Sequence, residues 1–584
     1  MNNRPSKRFT ADFETSTPSW YLKDGYARVW AWAICEIDNP VNFIYGTNID
    51  DFMKFCSGRA NYTLLFHNLK FDGQYILDWL FRNGFTLAKT KEEIKDKTFT
   101  TLISDMGQFY TITVYFNVSG HKTNKVTFED SLKLLNFSVE RIAKDFDLPI
   151  RKLELDYNEY REVGHELTPH EVDYIKNDVT VMAMALKIMY SEGLDRLTIG
   201  SCALNNFKDN TKDFRTLFPV LPTDIHNAIK NSYKGGFTYL NEVHKDEIIE
   251  DLMVLDVNSL YPSVQRNERL PYGFPIQYEG KYKKDLLYPL YIQIISCSFD
   301  LREGKIPTIQ LKNNLSFMPN EYLKSSDGKI VTLTLTNVDL ELFLKHYRVH
   351  DLTYHYGFKF KSLKGIFSNY IDFWTEQKIN SKKLGNKSKY LIAKLMMNSL
   401  YGKFGTSNYV RSKYPFYEDG VVCYEMGELE EREPVYLPIA SFITSYARKK
   451  TISTSQAIKD YSKEEYGVDY YIYSDTDSIH MKRLPDEELK KFVDVDDYRL
   501  GAWKIEGYPK RGKFIRQKCY IEEGEEGIEA TIAGLPKQLG KYINFDNFKE
   551  GFSIKADDLS KEHKLGYKKV KGGVLLVDTD FTIK

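Results

Sequence analysis

Asp475 and Asp477, two residues apart in Tyr473-Ser-Asp-Thr-Asp-Ser478, are the side chains that most clearly point to chemistry. If the segment is extended, its side chains alternate, so both carboxylates leave the same face. Such a pair of hard oxygen donors suits Mg²⁺ carrying a nucleotide's phosphates. Taken alone, the same residues also make an ordinary solvated turn, in which Asp and Ser bond locally. Two other segments favour the metal. Leu252-Met-Val-Leu255 reads as a buried strand that delivers Asp256, in Asp256-Val-Asn-Ser-Leu-Tyr-Pro262. Lys394, Asn398 and Tyr401 recur at i, i+4 and i+7 in a helical stretch that Gly402 is placed to terminate. Carboxylates, a cation, an amide and flat rings together suit in-line nucleotidyl transfer over two ions about 4 Å apart.

A second set lies in the first third of the chain. Asp12 and Glu14 share one face of a strand, Asp72 follows in His67-Asn-Leu-Lys-Phe-Asp72-Gly, and Tyr174 and Asp178 sit one helical turn apart. Four acids and a phenol suffice for two metals and an oriented water. Singly, each acid reads equally well as a surface charge or a helix cap.

Composition bounds the elements that must position these groups. The chain has 584 residues, 42% hydrophobic and 14% aromatic, enough for several packed domains. The six scattered cysteines form no CxxC pair, so no disulfide framework is expected. The N-terminus lacks an apolar signal core and no run is long enough to span a bilayer, so a protein without membrane association is expected. Basic and acidic residues balance at 81 each, but unevenly along the chain. Lys378 to Lys394, Lys504 to Lys518 and Lys561 to Lys571 are basic, whereas Glu425 to Glu433 and Glu522 to Glu529 are acidic. A neutral total can therefore conceal a phosphate-tracking groove. Strands and helices alternate to about residue 195, and Asp419-Gly420 reads as a hairpin turn between Pro415–Glu418 and Val421–Tyr424.

With these residues in place, the chain resembles the protein-primed family B DNA polymerases of small tailed bacteriophages, the phi twenty-nine type. Asp256-x-x-Ser-Leu-Tyr-Pro262 is similar to that family's first palm motif, Lys394-x-x-x-Asn-Ser-x-Tyr-Gly402 to its fingers motif, and Tyr473-x-Asp-Thr-Asp-Ser478 to its second metal motif. Tyr233-Lys-Gly235-Gly236, Thr444-Ser-Tyr-Ala-Arg448 and Lys518-Cys-Tyr520 fit as well, in the family's order. The resemblance implies an α/β and α+β multidomain fold, with a ribonuclease-H-like 3′→5′ exonuclease domain followed by a right-hand palm, fingers and thumb with two insertions. The boundaries expected are 1–195 for the exonuclease, 196–267 and 434–540 for the palm, and 268–366 for the insertion that contacts the priming protein. The fingers are expected at 367–408, the hairpin insertion at 409–433 and the thumb at 541–584.

The same resemblance implies roles. Asp256, Asp477 and Asp475, with the Val257 carbonyl, would hold two divalent ions, Mg²⁺ or Mn²⁺. Lys394 would contact the phosphates of the incoming deoxynucleoside triphosphate, Tyr261 would exclude a ribose 2′-OH, and Asn398 and Tyr401 would shape the pocket. Lys378 and Lys382 are further phosphate candidates; where the family tends to have a lysine this chain has Tyr390, so either Lys389 substitutes or that contact is lost. In the exonuclease, Asp12, Glu14, Asp72 and Asp178 would bind ions, Tyr174 would place the water and Lys152 would support the scissile phosphate. Glu154 stands where the family has an aspartate, so a metal role and an outer role are both open. Thr15, Asn68, Phe71, Ser131 and Leu132 would grip a single-stranded 3′ end. Tyr233, Gly235, Gly236, Arg448, Lys518 and Tyr520 would contact template-primer DNA. A terminal priming protein is the implied partner, a monomer the expected state, and the cytoplasm of an infected bacterium the expected location. A nuclease without synthesis, or a non-catalytic nucleic-acid scaffold, would leave one or both carboxylate sets unused.

Overall fold

The computed structural model describes residues 6–15, 25–58, 61–119, 122–156, 159, 161–310, 322–556 and 565–584. Lys561 and Lys564 of the C-terminal basic run, and part of the first insertion, lie outside the described residues. Eight strands between Lys7 and Asp130 form one sheet, in the order Phe43–Gly46, Val29–Glu36, Lys7–Thr15, Tyr62–Phe66, Lys122–Asp130, Phe109–Ser119, Thr98–Ile103 and Thr86–Leu87. Lys7–Thr15 runs parallel to Tyr62–Phe66, which runs parallel to Lys122–Asp130. Period-two alternation divides the first strand. Phe13 packs edge-on against Phe52 at 4.8 Å and Phe66 at 5.0 Å, so Asp12 and Glu14 face the other side.

That other side is covered by the helix Pro169–Ser191, whose Val179 carbonyl accepts from Thr10 Oγ1 at 2.7 Å. The helix begins at a capping box in which Thr168 and Glu171 satisfy each other's backbone amides, with Pro169 in its first turn. The expected alternation of strand and helix is partial: the strands Lys7–Thr15, Val29–Glu36 and Phe43–Gly46 follow one another directly, and strand and helix alternate only from there to the helix Leu69–Arg82. From Thr86 to Asp130 the strands follow one another without an intervening helix. Thr86–Leu87 runs parallel to Thr98–Ile103, and from Thr98 onward the consecutive strands are antiparallel neighbours that need only short connections.

The second half is built on a five-stranded sheet ordered Trp503–Gly507, Leu252–Val257, Ser478–Lys482, Tyr471–Asp475 and Thr238–Leu240. All its neighbours pair antiparallel, and the helix Leu437–Tyr466 packs against it. Between these strands the chain makes two excursions. Arg269–Glu279, Leu290–Leu301, Val331–Thr336 and Tyr347–Lys364 form a four-stranded sheet with a core of its own around Ile295, Phe299 and Phe343. Tyr409–Glu418 and Val421–Glu431 form a hairpin whose turn residues Asp419 and Gly420 have φ of 51° and 81°. Positive φ at both central residues is the twist-matched hairpin turn that Asp-Gly favours.

Ser368–Lys383 and Lys387–Ser399 form an antiparallel helix pair, turned at Gly385 with φ 67°. This places the tip of the pair at Gly385-Asn386. The helical path does not stop at Gly402: Tyr401–Phe404 continues it, and Gly405 caps it. At Gly405 a Cβ would lie 2.5 Å from the Tyr233 ring, so the glycine is needed there for packing. The end of the chain shares a core with the sheet Arg511–Ile532, through Ile515, Ile521, Phe548 and Phe581.

The metal-motif turn departs from simple alternation. Asp475 pairs with Ser478 across the strands, so Thr476 and Asp477 form the turn and the two carboxylates do not leave one face of a continuous strand. Thr476 has φ 61°, and the Asp477 N–H donates to the Asp475 carbonyl at 2.7 Å, a γ-turn that a β-branched residue adopts only under constraint. The constraint comes from the Tyr233-Lys-Gly-Gly connector and the long helix. The Thr476 N–H donates to the Phe237 carbonyl at 2.7 Å, and its own carbonyl accepts from Thr451 Oγ1 at 2.8 Å. A Cβ on Gly236 would stand 2.6 Å from Thr476 Oγ1, whereas one on Gly235 meets nothing within 4 Å. Gly236→Ala is therefore expected to destabilise the fold by about 1–3 kcal/mol, and Gly235→Ala to stay within about 0.5 kcal/mol of the parent. Thermal denaturation of the two variants side by side tests this difference.

Candidate active sites

Three segments distant in sequence converge at the end of the five-stranded sheet. Asp256 lies opposite Ser478 on one side and Lys504 on the other, and the Val257 N–H donates to the Asp477 carbonyl at 2.8 Å. Burial pushes the Asp256 carboxyl up to about 7, helped by the charges of Asp477 and Glu506 and opposed by Lys504 and Lys394. Asp477 is raised by burial and by Asp475, against the pull of its own N–H and of Lys518. Asp475 accepts from Thr238 Oγ1 at 3.1 Å and faces Lys518 Nζ at 3.7 Å. Like-charged carboxylates with raised proton affinity are the electrostatic signature of a site that accepts cations. Glu506, salt-bridged to Lys504 at 2.8 Å, is an acid that no sequence motif marks. Its only local signal is its place two residues from Lys504, and the pairing with the Asp256 strand supplies the rest.

Above the carboxylates stands a cationic and aromatic wall. Tyr261 and Tyr401 stack with centroids 4.0 Å apart and planes 26° apart, and burial together with the neighbouring phenol of Tyr401 raises both Tyr233 and Tyr261 against ionisation. Lys394 and Asn398 are exposed one turn apart on the fingers helix. Lys378 sits half-buried with its proton affinity lowered, first by burial and then by the charges of Lys394 and Lys382. Three cations held this close repel one another, and a triphosphate is an anion suited to balance them. Lys389 is committed elsewhere, to Glu192 at 3.2 Å, and Lys387 to Asp147 at 3.3 Å, both on the exonuclease side.

Arg448 is turned into the protein. It is 2% exposed, its Nη1 donates at 2.8 Å to the carbonyls of both Lys234 and Gly235, and its Nη2 binds Asp339 at 2.6 Å. A buried guanidinium must be paired, and here the pairing pins the connector rather than a phosphate. Tyr520 packs in an aromatic cluster with Tyr473 at 5.2 Å and Phe514 at 5.2 Å. Lys518 is exposed, and its N–H donates to the Tyr473 hydroxyl at 2.9 Å.

The second cluster assembles on the first sheet. Burial and the Asp178 charge, offset in part by Lys152, push Asp12 up to about 7. Glu14 is raised by burial together with the charges of Asp12 and Asp178, and Asp72 by burial and Asp12. Asp178 is raised by burial, although Lys152 Nζ lies 3.1 Å away. Lys152 also lies over the buried Tyr174 ring at 5.8 Å. Among the described residues, Asp72 Oδ1 and Asp178 Oδ1 are fully buried without a hydrogen-bond partner. Orphaned anionic oxygens are costly, and a divalent ion is the group that fits them. Among the described residues, no three acids are yet drawn into the closed geometry of a ligated ion. Glu154 is exposed, and its carbonyl accepts from His170 at 2.9 Å.

The expected single-strand grip is shaped by Asp130, a residue outside every motif. Its Oδ1 accepts from the amides of Asn68 at 3.1 Å and Leu132 at 3.0 Å, and Asn68 takes φ 91° at the head of Leu69–Arg82. Ser131 is buried, and its Oγ donates to the Phe66 carbonyl at 3.1 Å. Thr15 is buried and its carbonyl accepts from Trp30 Nε1 at 3.2 Å. Phe71 is half-exposed and lies 5.7 Å from Tyr75.

Comparison with known proteins shows the family to which the chain belongs. Residues 54–494 match the model of DNA polymerase type B, organellar and viral. The chain belongs to this family, among the phi29-like phage enzymes. It is 44% identical to the DNA polymerase of Bacillus phage B103 over 99% of this chain and 100% of that one. It is 42% identical to that of Bacillus phage phi29 over the full length of both, and 32% identical to that of Streptococcus phage Cp-1 over 99% and 98%. Its structure superposes on phi29 DNA polymerase complexed with primer-template DNA and incoming nucleotide substrates with a TM-score of 0.89, at 41% identity, covering 99% and 100% of the chains. The exonuclease, palm, fingers and thumb architecture and DNA-directed DNA synthesis are thereby established for this family B polymerase. DNA polymerases of this family use divalent metal ions and deoxynucleoside triphosphates.

Two outcomes test the geometry. Replacing Lys378 and Lys382 together by Ala should raise the KM for deoxynucleotides roughly tenfold or more, since charge-assisted phosphate contacts contribute about 1.5–3 kcal/mol each, and a steady-state titration of nucleotide reads it. The pH dependence has a definite sign. Asp12 binds its proton more tightly when folded than when unfolded, so metal-free stability is lost as pH rises from about 4 towards 7. In chelator, Asp12→Asn should therefore gain thermal stability relative to the parent between about pH 5 and about pH 8.

Proposed function

We propose that this polymerase proofreads at the first carboxylate cluster, starts synthesis from a hydroxyl on a terminal protein, and displaces the strand ahead of it while replicating a linear phage genome. The observation that carries the proofreading reading is the pair of buried, unpartnered oxygens on Asp72 and Asp178 beside Asp12 and Glu14. Asp256, Asp475 and Asp477, and separately Asp12, Glu14, Asp72 and Asp178, would hold divalent ions, Mg²⁺ or Mn²⁺, which would supply Lewis-acid stabilisation of the attacking and departing oxygens. In the palm, Lys394, Lys378 and Lys382 hold the triphosphate, and the Tyr261 ring stacked on Tyr401 closes the space a ribose 2′-OH would need. Asn398 lines the same helix face, and Lys518 and Tyr520 guide the primer strand beside Asp475. In the exonuclease, Tyr174 orients the water and Lys152 balances charge on the scissile phosphate. Thr15, Asn68, Phe71, Ser131 and Leu132 receive the unpaired 3′ end.

Processivity and strand displacement rest on a ring of contacts around the site. The hairpin Tyr409–Glu431 docks on the exonuclease helix through Tyr417 to Asp78 at 3.0 Å and Tyr424 to Gln74 at 2.8 Å. The terminal hairpin docks on the same helix through the Tyr75 hydroxyl, which donates to the Val574 carbonyl at 2.6 Å. Phi29 DNA polymerase has been solved with primer-template DNA, at 41% identity to this chain, and with single-stranded DNA, at 40%, which supports DNA in both clefts here. The insertion at residues 268–366 is the surface we assign to the priming protein. No helix among the described residues is long and apolar enough to cross a membrane, and we place a monomer in the cytoplasm of the infected bacterium. Asp477→Ala is expected to abolish synthesis by at least about a thousandfold while leaving 3′ degradation, and Asp12→Ala with Asp72→Ala to do the reverse. Loss of both activities in either variant, on labelled primer-template, would sink the two-site assignment.

A further inference from the structure

The hairpin Leu565–Val570 and Gly573–Asp578 belongs to the C-terminal part of the chain, yet one of its side chains reaches the exonuclease. Tyr567 is 46% exposed, and its hydroxyl accepts from Asn68 Nδ2 at 3.1 Å. Its ring stands 6.3 Å from the Phe71 ring at a 55° tilt, and Lys70 Nζ lies over it at 5.1 Å. Asn68 and Phe71 are the amide and the ring assigned above to gripping an unpaired 3′ end, so this inference rests on the proofreading reading. Two rings this close and this tilted leave no parallel slot for a base, which needs a gap of roughly 7 Å between stacking partners. The side-chain amide of the grip, that of Asn68, already donates to the phenol.

We propose that Tyr567 is a selectivity residue of the exonuclease site: it occupies the single-strand grip itself, and a 3′ end enters only by displacing it. A frayed or mismatched end can make that exchange, because its terminal bases have lost their stacking and pairing partners. A paired end would have to break base pairs and displace Tyr567 together. The cation over the ring makes the exchange reversible without loss, since Lys70 released from the tyrosine face stands ready for the incoming phosphate. The hairpin is held nearby by independent contacts, Tyr75 to Val574 at 2.6 Å and Lys569 Nζ over the Tyr424 ring at 4.4 Å. Removing the Tyr567 side chain therefore frees the grip without releasing the hairpin.

The test is equilibrium binding of a fluorescent single-stranded oligonucleotide to the full chain in chelator, so that nothing is cleaved, with salt held constant. Tyr567→Ala is expected to bind about three- to tenfold more tightly than the parent, the range of one displaced hydrogen bond and ring contact. Tyr567→Phe, which loses only the bond to Asn68, is expected to fall between them. Weaker binding by Tyr567→Ala would show that the ring stacks on DNA instead and would overturn the proposal, as would unchanged binding in both variants. If the parent neither binds the oligonucleotide nor degrades it when Mg²⁺ is added, the proofreading reading itself fails, and this inference with it.

Discussion

Carboxylates brought together away from water repel one another, and every other part of this molecule is arranged around that repulsion. Asp256, Asp475 and Asp477 come from two strands and a turn separated by more than half of the polymerase region. They are kept together by hydrogen bonds that do not depend on their charge: the Val257 N–H to the Asp477 carbonyl at 2.8 Å, the Thr476 N–H to the Phe237 carbonyl at 2.7 Å and the Thr451 hydroxyl to the Thr476 carbonyl at 2.8 Å. The cost appears as raised proton affinity at Asp256 and Asp477 and as left-handed backbone at a threonine. Strain of this kind persists only where the surroundings over-determine it. The surroundings here are the connector glycine and the long palm helix.

The same logic explains residues that touch no substrate. Arg448 is buried so that two connector carbonyls and Asp339 are fixed at once, which links the first insertion to the segment lying against the metal turn. Lys387 and Lys389 pair with Asp147 and Glu192, so the tip of the fingers leans on the exonuclease while Lys378 stays within reach of the charges of Lys382 and Lys394 along the helix pair. Exposed pairs of this kind contribute little stability. Their effect is on which way the fingers rest.

Much of this architecture is legible in the amino-acid sequence. Period-two burial in Lys7–Thr15, the Asp-Gly hairpin and the order of the motifs all follow from local rules that local residues obey. What escapes such rules is set by contacts across the chain. The Asp475-Thr476-Asp477 segment reads as extended because nothing nearby reveals that Gly236 and Phe237 will force a turn. Gly402 looks like a helix stop, but the break falls at Gly405, where Tyr233 needs the space. Arg448 gives no local sign of its pairing, because its carbonyl partners lie more than two hundred residues away. Glu506 and Tyr567 carry no motif of their own. They matter because one strand pairs beside Asp256 and one hairpin folds back on the exonuclease.

The central claim is that two separate carboxylate sites in one chain compete for the same primer end. The most direct measurement is extension of a labelled primer on a singly primed circular template with Mg²⁺, with and without the four deoxynucleotides and with no accessory protein. The account predicts products much longer than the circle when nucleotides are present and shortening of the primer when they are absent. Degradation under both conditions, or binding with no change in the primer, would contradict it.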